Sequence, residues 1–121
     1  MKASDLENRL IDFAVKATDI GENLPSTRLG NHLAGQLIRS STAPALNYGE
    51  AQAGESRADF IHKMKVCLKE LRETFVNLKI ISRKNIFDDT KILEAVMSEN
   101  NELISIFTRS ITTAQQNMNN K

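Results

Sequence analysis

Ser4-Asp5-Leu6-Glu7-Asn8-Arg9-Leu10-Ile11-Asp12-Phe13-Ala14-Val15-Lys16-Ala17-Thr18-Asp19-Ile20-Gly21-Glu22-Asn23-Leu24 is the stretch on which the fold turns. Its apolar residues Leu6, Leu10, Phe13, Ala17, Ile20 and Leu24 recur at intervals of 4, 3, 4, 3 and 4. That period places them on one face of an amphipathic helix, the stripe a bundle helix buries. Ser4 and Glu7 form a capping-box pattern that predicts the helix start. Asp5–Arg9 and Asp12–Lys16 are acid-before-base pairs at i, i+4, each worth a few tenths of a kcal/mol. Gly21 and Pro25 close the segment, giving a helix over about residues 4–22.

The same grammar repeats three times. A second helix, about 26–53, carries Leu29, Leu33, Leu37, Ser41, Ala45 and Tyr48 at helical spacing. It also carries Gly30, Gly35, Pro44 and Gly49. Relative to Ala, three interior glycines cost about 1 kcal/mol each and a proline about 3, so packing on more than one side must hold this helix. Pro44 cannot donate to the Ser40 carbonyl, which predicts a kink. A third helix, about 56–84, opens at Ser56-Arg57-Ala58-Asp59. Its core positions are Ile61, Met64, Leu68, Leu71, Phe75 and Leu78, with Phe60, Cys67 and Ile81 alongside, and Asn85 is its stop. A fourth, about 88–116, runs through Leu93, Val96, Leu103, Phe107, Ile111 and Ala114, with a fraying polar tail from Gln115. Short connections make successive helices antiparallel neighbours, so the expected fold is all-α, an up-down-up-down four-helix bundle with a kinked second helix.

Composition agrees. The 121 residues suit one domain, and 40% hydrophobic content suffices for a core. Aromatics make up 5%, there is no Trp, and only two Pro and five Gly punctuate the chain, which argues against a sandwich or barrel. Cys67 is the single cysteine, so no internal disulfide is expected and a reducing compartment fits. No run approaches the length of a membrane span, and Asp5 and Glu7 fall where a signal peptide needs its apolar core. A cytoplasmic protein without membrane attachment is expected.

Net charge is +1, but it is unevenly spread. Residues 56–84 hold eight basic and three acidic groups, whereas 1–24 and 85–121 each hold three basic and five acidic ones. Within the third helix His62, Lys65, Lys69, Arg72, Lys79 and Arg83 recur at helical intervals as one stripe. Such a row can displace counterions from a nucleic-acid backbone; it can equally be a solvated face, or pair with an acidic face of a neighbouring subunit. No aromatic is expected beside it, so base stacking is not predicted. Val66 and Ile80 read as lying away from the core and suggest a second contact surface.

Pairing helices two and three across a turn near Gly54–Glu55 sets Arg39 opposite Glu70, with Glu73 one turn on. A partly buried Arg39–Glu70 or Arg39–Glu73 pair then fixes register more than it stabilises. Ser40 or Ser41 is placed to satisfy the backbone group that Pro44 leaves without a donor. A nucleophilic serine needs a base within reach, and both histidines lie far along their helices. The chain has no Glu-x-x-His, and its Asp59–His62 spacing points off the apolar stripe, so no metal, cofactor or catalytic site is predicted.

Leu33-Ala34-Gly35-Gln36-Leu37-Ile38-Arg39-Ser40-Ser41-Thr42, followed by Asn47 and Glu50, resembles the helix-two signature of the bacterial 23S rRNA-intervening-sequence or S23 four-helix-bundle proteins. Asp59-Phe60-Ile61-His62-Lys63-Met64-Lys65 and Lys69-Glu70-Leu71-Arg72-Glu73-Thr74 resemble that family's third helix. The resemblance spans about residues 29–83. It implies a homopentameric ring and relatedness to the accessory variability protein of diversity-generating retroelements, which engages reverse transcriptase and RNA. Pro44 and the near-neutral charge depart from its pattern. By this match Arg39, Ser41, Asn47, Glu50, Glu70 and Glu73 are the family positions, read as structural together with Ser40 and Pro44. The expected function is a non-enzymatic oligomeric interaction module. Its partners are its own copies and an RNA or ribonucleoprotein held by Lys65, Lys69, Arg72, Lys79 and Arg83; the other reading is a protein-only scaffold.

Overall fold

The computed structural model describes residues 1–119 and consists of four α-helices: α1 (Ala3–Glu22), α2 (Arg28–Gln52), α3 (Arg57–Lys84) and α4 (Thr90–Asn119). Each helix packs on its sequence neighbour, and α4 returns to α1 along the loosest of the four seams. The fold is the expected all-α four-helix bundle.

Local chemistry explains where the helices begin and end. The α1 capping box does not form: Lys2 is the cap, its carbonyl accepting from the Asp5 and Leu6 amides, and no side chain caps the end. Ser4 is therefore already inside the helix. Thr27 opens α2, accepting the Gly30 amide at 3.0 Å on Oγ1, which moves the start two residues past the expected Ser26. Ser56 caps α3 through the Asp59 amide at 3.1 Å, and Asp89 caps α4 through the Ile92 amide at 3.1 Å. Asn85 ends α3 in the left-handed conformation (φ 54°), which Asn tolerates better than most residues. α4 is helical through Asn119, past the expected end near 116; Asn120 and Lys121, the end of the tail expected to fray, lie outside the described residues.

The stripes converge on one core. Leu10, Ala17 and Ile20 of α1, Leu37 of α2, Cys67, Leu71, Leu78 and Ile81 of α3, and Leu103 and Phe107 of α4 are fully buried. Tyr48 and Phe107 meet edge to face, centroids 5.8 Å apart, tying α2 to α4 across the middle. Leu24, Leu29, Ala45, Leu68 and Phe75, expected in the core, are only half-buried because they sit at helix ends or on the rim of the stripe.

Polar groups also enter the core. Asn100 occupies the position between Val96 and Leu103, fully buried; its Nδ2 donates to the Leu71 carbonyl at 3.0 Å, while its Oδ1 has no partner among the described residues. Thr74, buried, lies 2.8 Å from both Ser40 Oγ and the Glu70 carbonyl. A hydroxyl has one proton and a carbonyl only accepts, so Thr74 donates to Glu70 and accepts from Ser40.

Glycine in α2 has two distinct explanations. A Cβ on Gly30 would fall 2.0 Å from the Pro25 carbonyl oxygen, so the turn entering α2 demands glycine there. A Cβ on Gly35 or Gly49 would meet nothing within 4 Å. Contacts within the bundle therefore do not require glycine at these two positions.

Candidate functional site

The α2–α3 face is organised around Arg39. This side chain crosses from α2, with Nη1 3.0 Å from Glu70 Oε2 and Nη2 3.0 Å from Glu73 Oε2. Glu70 is the buried member of the trio, its side chain 12% exposed against 60% for Arg39. The Glu73 hydrogen bond and the Glu70 charge hold the guanidinium pKa above its ordinary value. A fork spanning two carboxylates one helical turn apart fixes the rotation of α3 against α2.

The remaining family positions are structural neighbours of this fork. Ser40 is taken up by Thr74, and Ser41 Oγ approaches the Ile38 carbonyl at 3.5 Å. Neither serves the Ser40 carbonyl that Pro44 leaves without its donor, contrary to expectation; packing against α3 directs Ser40 Oγ the other way. The Pro44 carbonyl accepts from Cys67 Sγ at 3.5 Å, so the proline segment is stitched to α3 from its own side. Asn47 Nδ2 donates to the Ala43 carbonyl at 3.0 Å, and Glu50 pairs with Lys63 at 3.5 Å. Burial pushes the Cys67 thiol up to about 12, which keeps it protonated and unreactive.

Outward of the fork, α3 presents His62, Lys65, Lys69, Arg72 and Arg83 to solvent, none in an ion pair among the described residues. Lys79 departs from this row. It is half-buried, with Nζ 5.0 Å from the Phe75 ring centroid, a cation–π contact with an aromatic that sequence reading did not expect there. The apolar members also differ. Val66 is half-buried, while Val76 (52% exposed) and Ile80 (39%) stand among the cations.

Ile11 and Val15 of α1 and Leu46 of α2 are further exposed apolar side chains, at 44%, 55% and 69%. Thr18 and Thr42 donate their hydroxyls to the Ala14 and Ile38 carbonyls at 2.8 Å, so both satisfy themselves within their own helices. On the opposite seam Arg9 leaves the expected Asp5 partner and grips Glu99 of α4 through two bonds of 3.0 and 2.6 Å. Among the described residues no three His, Cys, Asp or Glu side chains gather as metal ligands, and no helix is long and apolar enough to cross a membrane. His32 and His62 are both exposed, and neither hydrogen-bonds to Ser40 or Ser41.

The architecture has a counterpart among known proteins. A crystal structure at 1.70 Å of a protein with unknown function from the S23 ribosomal protein family of Bacteroides thetaiotaomicron VPI-5482 superposes with a TM-score of 0.82. It is 27% identical, over 93% of this chain and 99% of that one. No curated protein matches the chain. The sequence profile of the 23S rRNA-intervening sequence proteins matches residues 3–109, nearly the whole bundle. The chain belongs to the 23S rRNA-intervening sequence protein family.

Proposed function

We propose that this protein is a non-enzymatic, oligomeric helical-bundle module that holds an RNA backbone against α3. One observation carries the reading: Lys65, Lys69, Arg72 and Arg83, with His62, form an exposed row in which, among the described residues, no cation is spent on an intramolecular carboxylate. A rigid α-helix spaces such charges by about 5–6 Å per turn, suited to backbone contact without base readout. The Arg39 fork supports the row by fixing how α3 is turned. The RNA-related name of the family points the same way, as does the resemblance to the retroelement accessory protein. A cytoplasmic setting belongs to the same proposal and rests on the buried, unpaired Cys67.

Self-association is the second element. Helical spacing sets Gly35, Leu46 and Gly49 on one flank of α2, where a Cβ on either glycine would meet nothing within 4 Å, and Ile11 and Val15 of α1 are exposed as well. Each of those glycines costs its helix about 1 kcal/mol relative to Ala. Close approach of a second copy would account for that cost; the pentameric ring implied by the resemblance is the expected form.

The test reverses charge at Lys65, Lys69 and Arg72 together and measures binding of a structured rRNA fragment at several salt concentrations. Weaker binding with a shallower salt slope supports the reading, and unchanged affinity defeats it. Val76 and Ile80 interrupt the row and favour one other reading, a protein-only scaffold. Native purification with and without nuclease separates the two, because only the RNA reading predicts absorbance at 260 nm that nuclease removes.

A further inference from the structure

The geometry points to a binding site for a phosphate monoester joined to an aromatic base, in the cleft between the α2–α3 turn and the C-terminal third of α4. This site is separate from the α3 row and does not depend on it. The cleft exists because α4 outruns α1. Arg9 pairs with Glu99, yet only Ala3–Asn8 precede Arg9 in α1 while Asn100–Asn119 follow Glu99 in α4. At 1.5 Å per residue, about 20 Å of α4 has no α1 beside it.

Two arginines from different helices line that space, Arg57 of α3 and Arg109 of α4, both exposed, together with Ser110 and Thr113. Arg9 and Arg39 are committed to carboxylates; Arg57 and Arg109 form no ion pair among the described residues. Two planar forks with hydroxyl donors match the donor demand of a phosphate bearing two negative charges. The half-buried ring of Phe60 lines the same cleft and offers an apolar face for a base. Glu55 also lines it. Its carboxylate repels phosphate but accepts hydrogen bonds from ribose hydroxyls, which favours a nucleotide over inorganic phosphate. The chemistry fits a free nucleoside monophosphate and the 5′-phosphorylated end of an RNA alike.

The experiment uses the intact protein. Calorimetry compares AMP with adenosine, and fluorescence anisotropy compares one short oligoribonucleotide carrying a 5′-phosphate or a 5′-hydroxyl. The expected result is at least about a tenfold preference for the phosphorylated ligand, lost in both Arg57→Gln and Arg109→Gln while circular dichroism stays unchanged. Saturable AMP binding assigns the free nucleotide; a phosphate preference confined to the oligonucleotide assigns the RNA end. The triple charge reversal on α3 keeps the phosphate preference, which separates this site from the proposed RNA face. No phosphate preference in either arm, or a preference that survives both arginine substitutions, overturns the assignment.

Discussion

Replacing Asn100 by Leu is expected to stabilise the bundle. Asn100 is fully buried at a core position, donates one hydrogen bond of 3.0 Å to the Leu71 carbonyl and leaves Oδ1 unpartnered. The lost bond contributes about 1 kcal/mol net, and the Leu71 carbonyl, inside α3, still has its own helical acceptor role. Removing the orphaned oxygen recovers about 1–3 kcal/mol, and burying an apolar side chain adds about 1.5–3 kcal/mol. Overpacking at a tight site takes back about 1–3 kcal/mol. The balance is a gain of about 1–2 kcal/mol. Urea unfolding followed at 222 nm, at one fixed protein concentration, should show a higher midpoint with an unchanged slope. Asn100→Asp is the control, because it puts a charge in the same place and should be strongly destabilising. A loss of more than about 1 kcal/mol in Asn100→Leu would refute the reasoning, showing that Oδ1 has a partner such as a buried water.

Gly30→Ala should cost about 1–3 kcal/mol, since its Cβ collides with the Pro25 carbonyl, whereas Gly35→Ala should stabilise the separated protomer by about 0.5–1 kcal/mol and weaken self-association; thermal unfolding and light scattering measure the two. Thr74→Val should destabilise by about 1–3 kcal/mol by stranding the buried Ser40 hydroxyl, and adding Ser40→Ala should recover part of that loss in a denaturant-based double-mutant cycle. Cys67 and Tyr48 are both buried acids whose pKa values are raised by burial, so their contribution is intact at neutral pH and is lost as pH climbs. For Cys67 the window runs from about 8.5 in the unfolded chain to about 12 in the fold, and Cys67→Ala should flatten the fall in stability measured between pH 9 and 11.

Periodicity carried most of the architecture. Leu6 through Ile20 repeat at threes and fours, Leu93 through Ala114 do so with one step of seven, and every expected core position in those runs is buried. Asn85 was legible as a stop and Ser56 as a cap because each acts on residues a few places away. Arg39 opposite Glu70 was legible because a short turn fixes the register of two consecutive helices. What escaped is non-local or ambiguous in chemistry. Arg9 has Asp5 four residues before it, and nothing local says that Glu99, across the bundle, binds it instead. The step from Val96 to Leu103 skips a turn and so implies a core residue between them, but Asn100 is polar and apolar spacing passes over it. Lys79 belongs to the basic row by number, while Phe75, one turn earlier, draws it aside.

The loose return of α4 to α1 bears on how the molecule assembles. Helix pairs α1–α2, α2–α3 and α3–α4 are hairpins whose contacts lie close in sequence, so each can form while the chain is still short. Closing α4 onto α1 joins residues ninety apart, as in Arg9–Glu99, and awaits synthesis of the fourth helix. Low contact order favours rapid formation of the hairpins, with ring closure between the outer helices as the late event. During translation, the apolar flank of α1 that α4 will cover stays exposed to whatever the nascent chain meets.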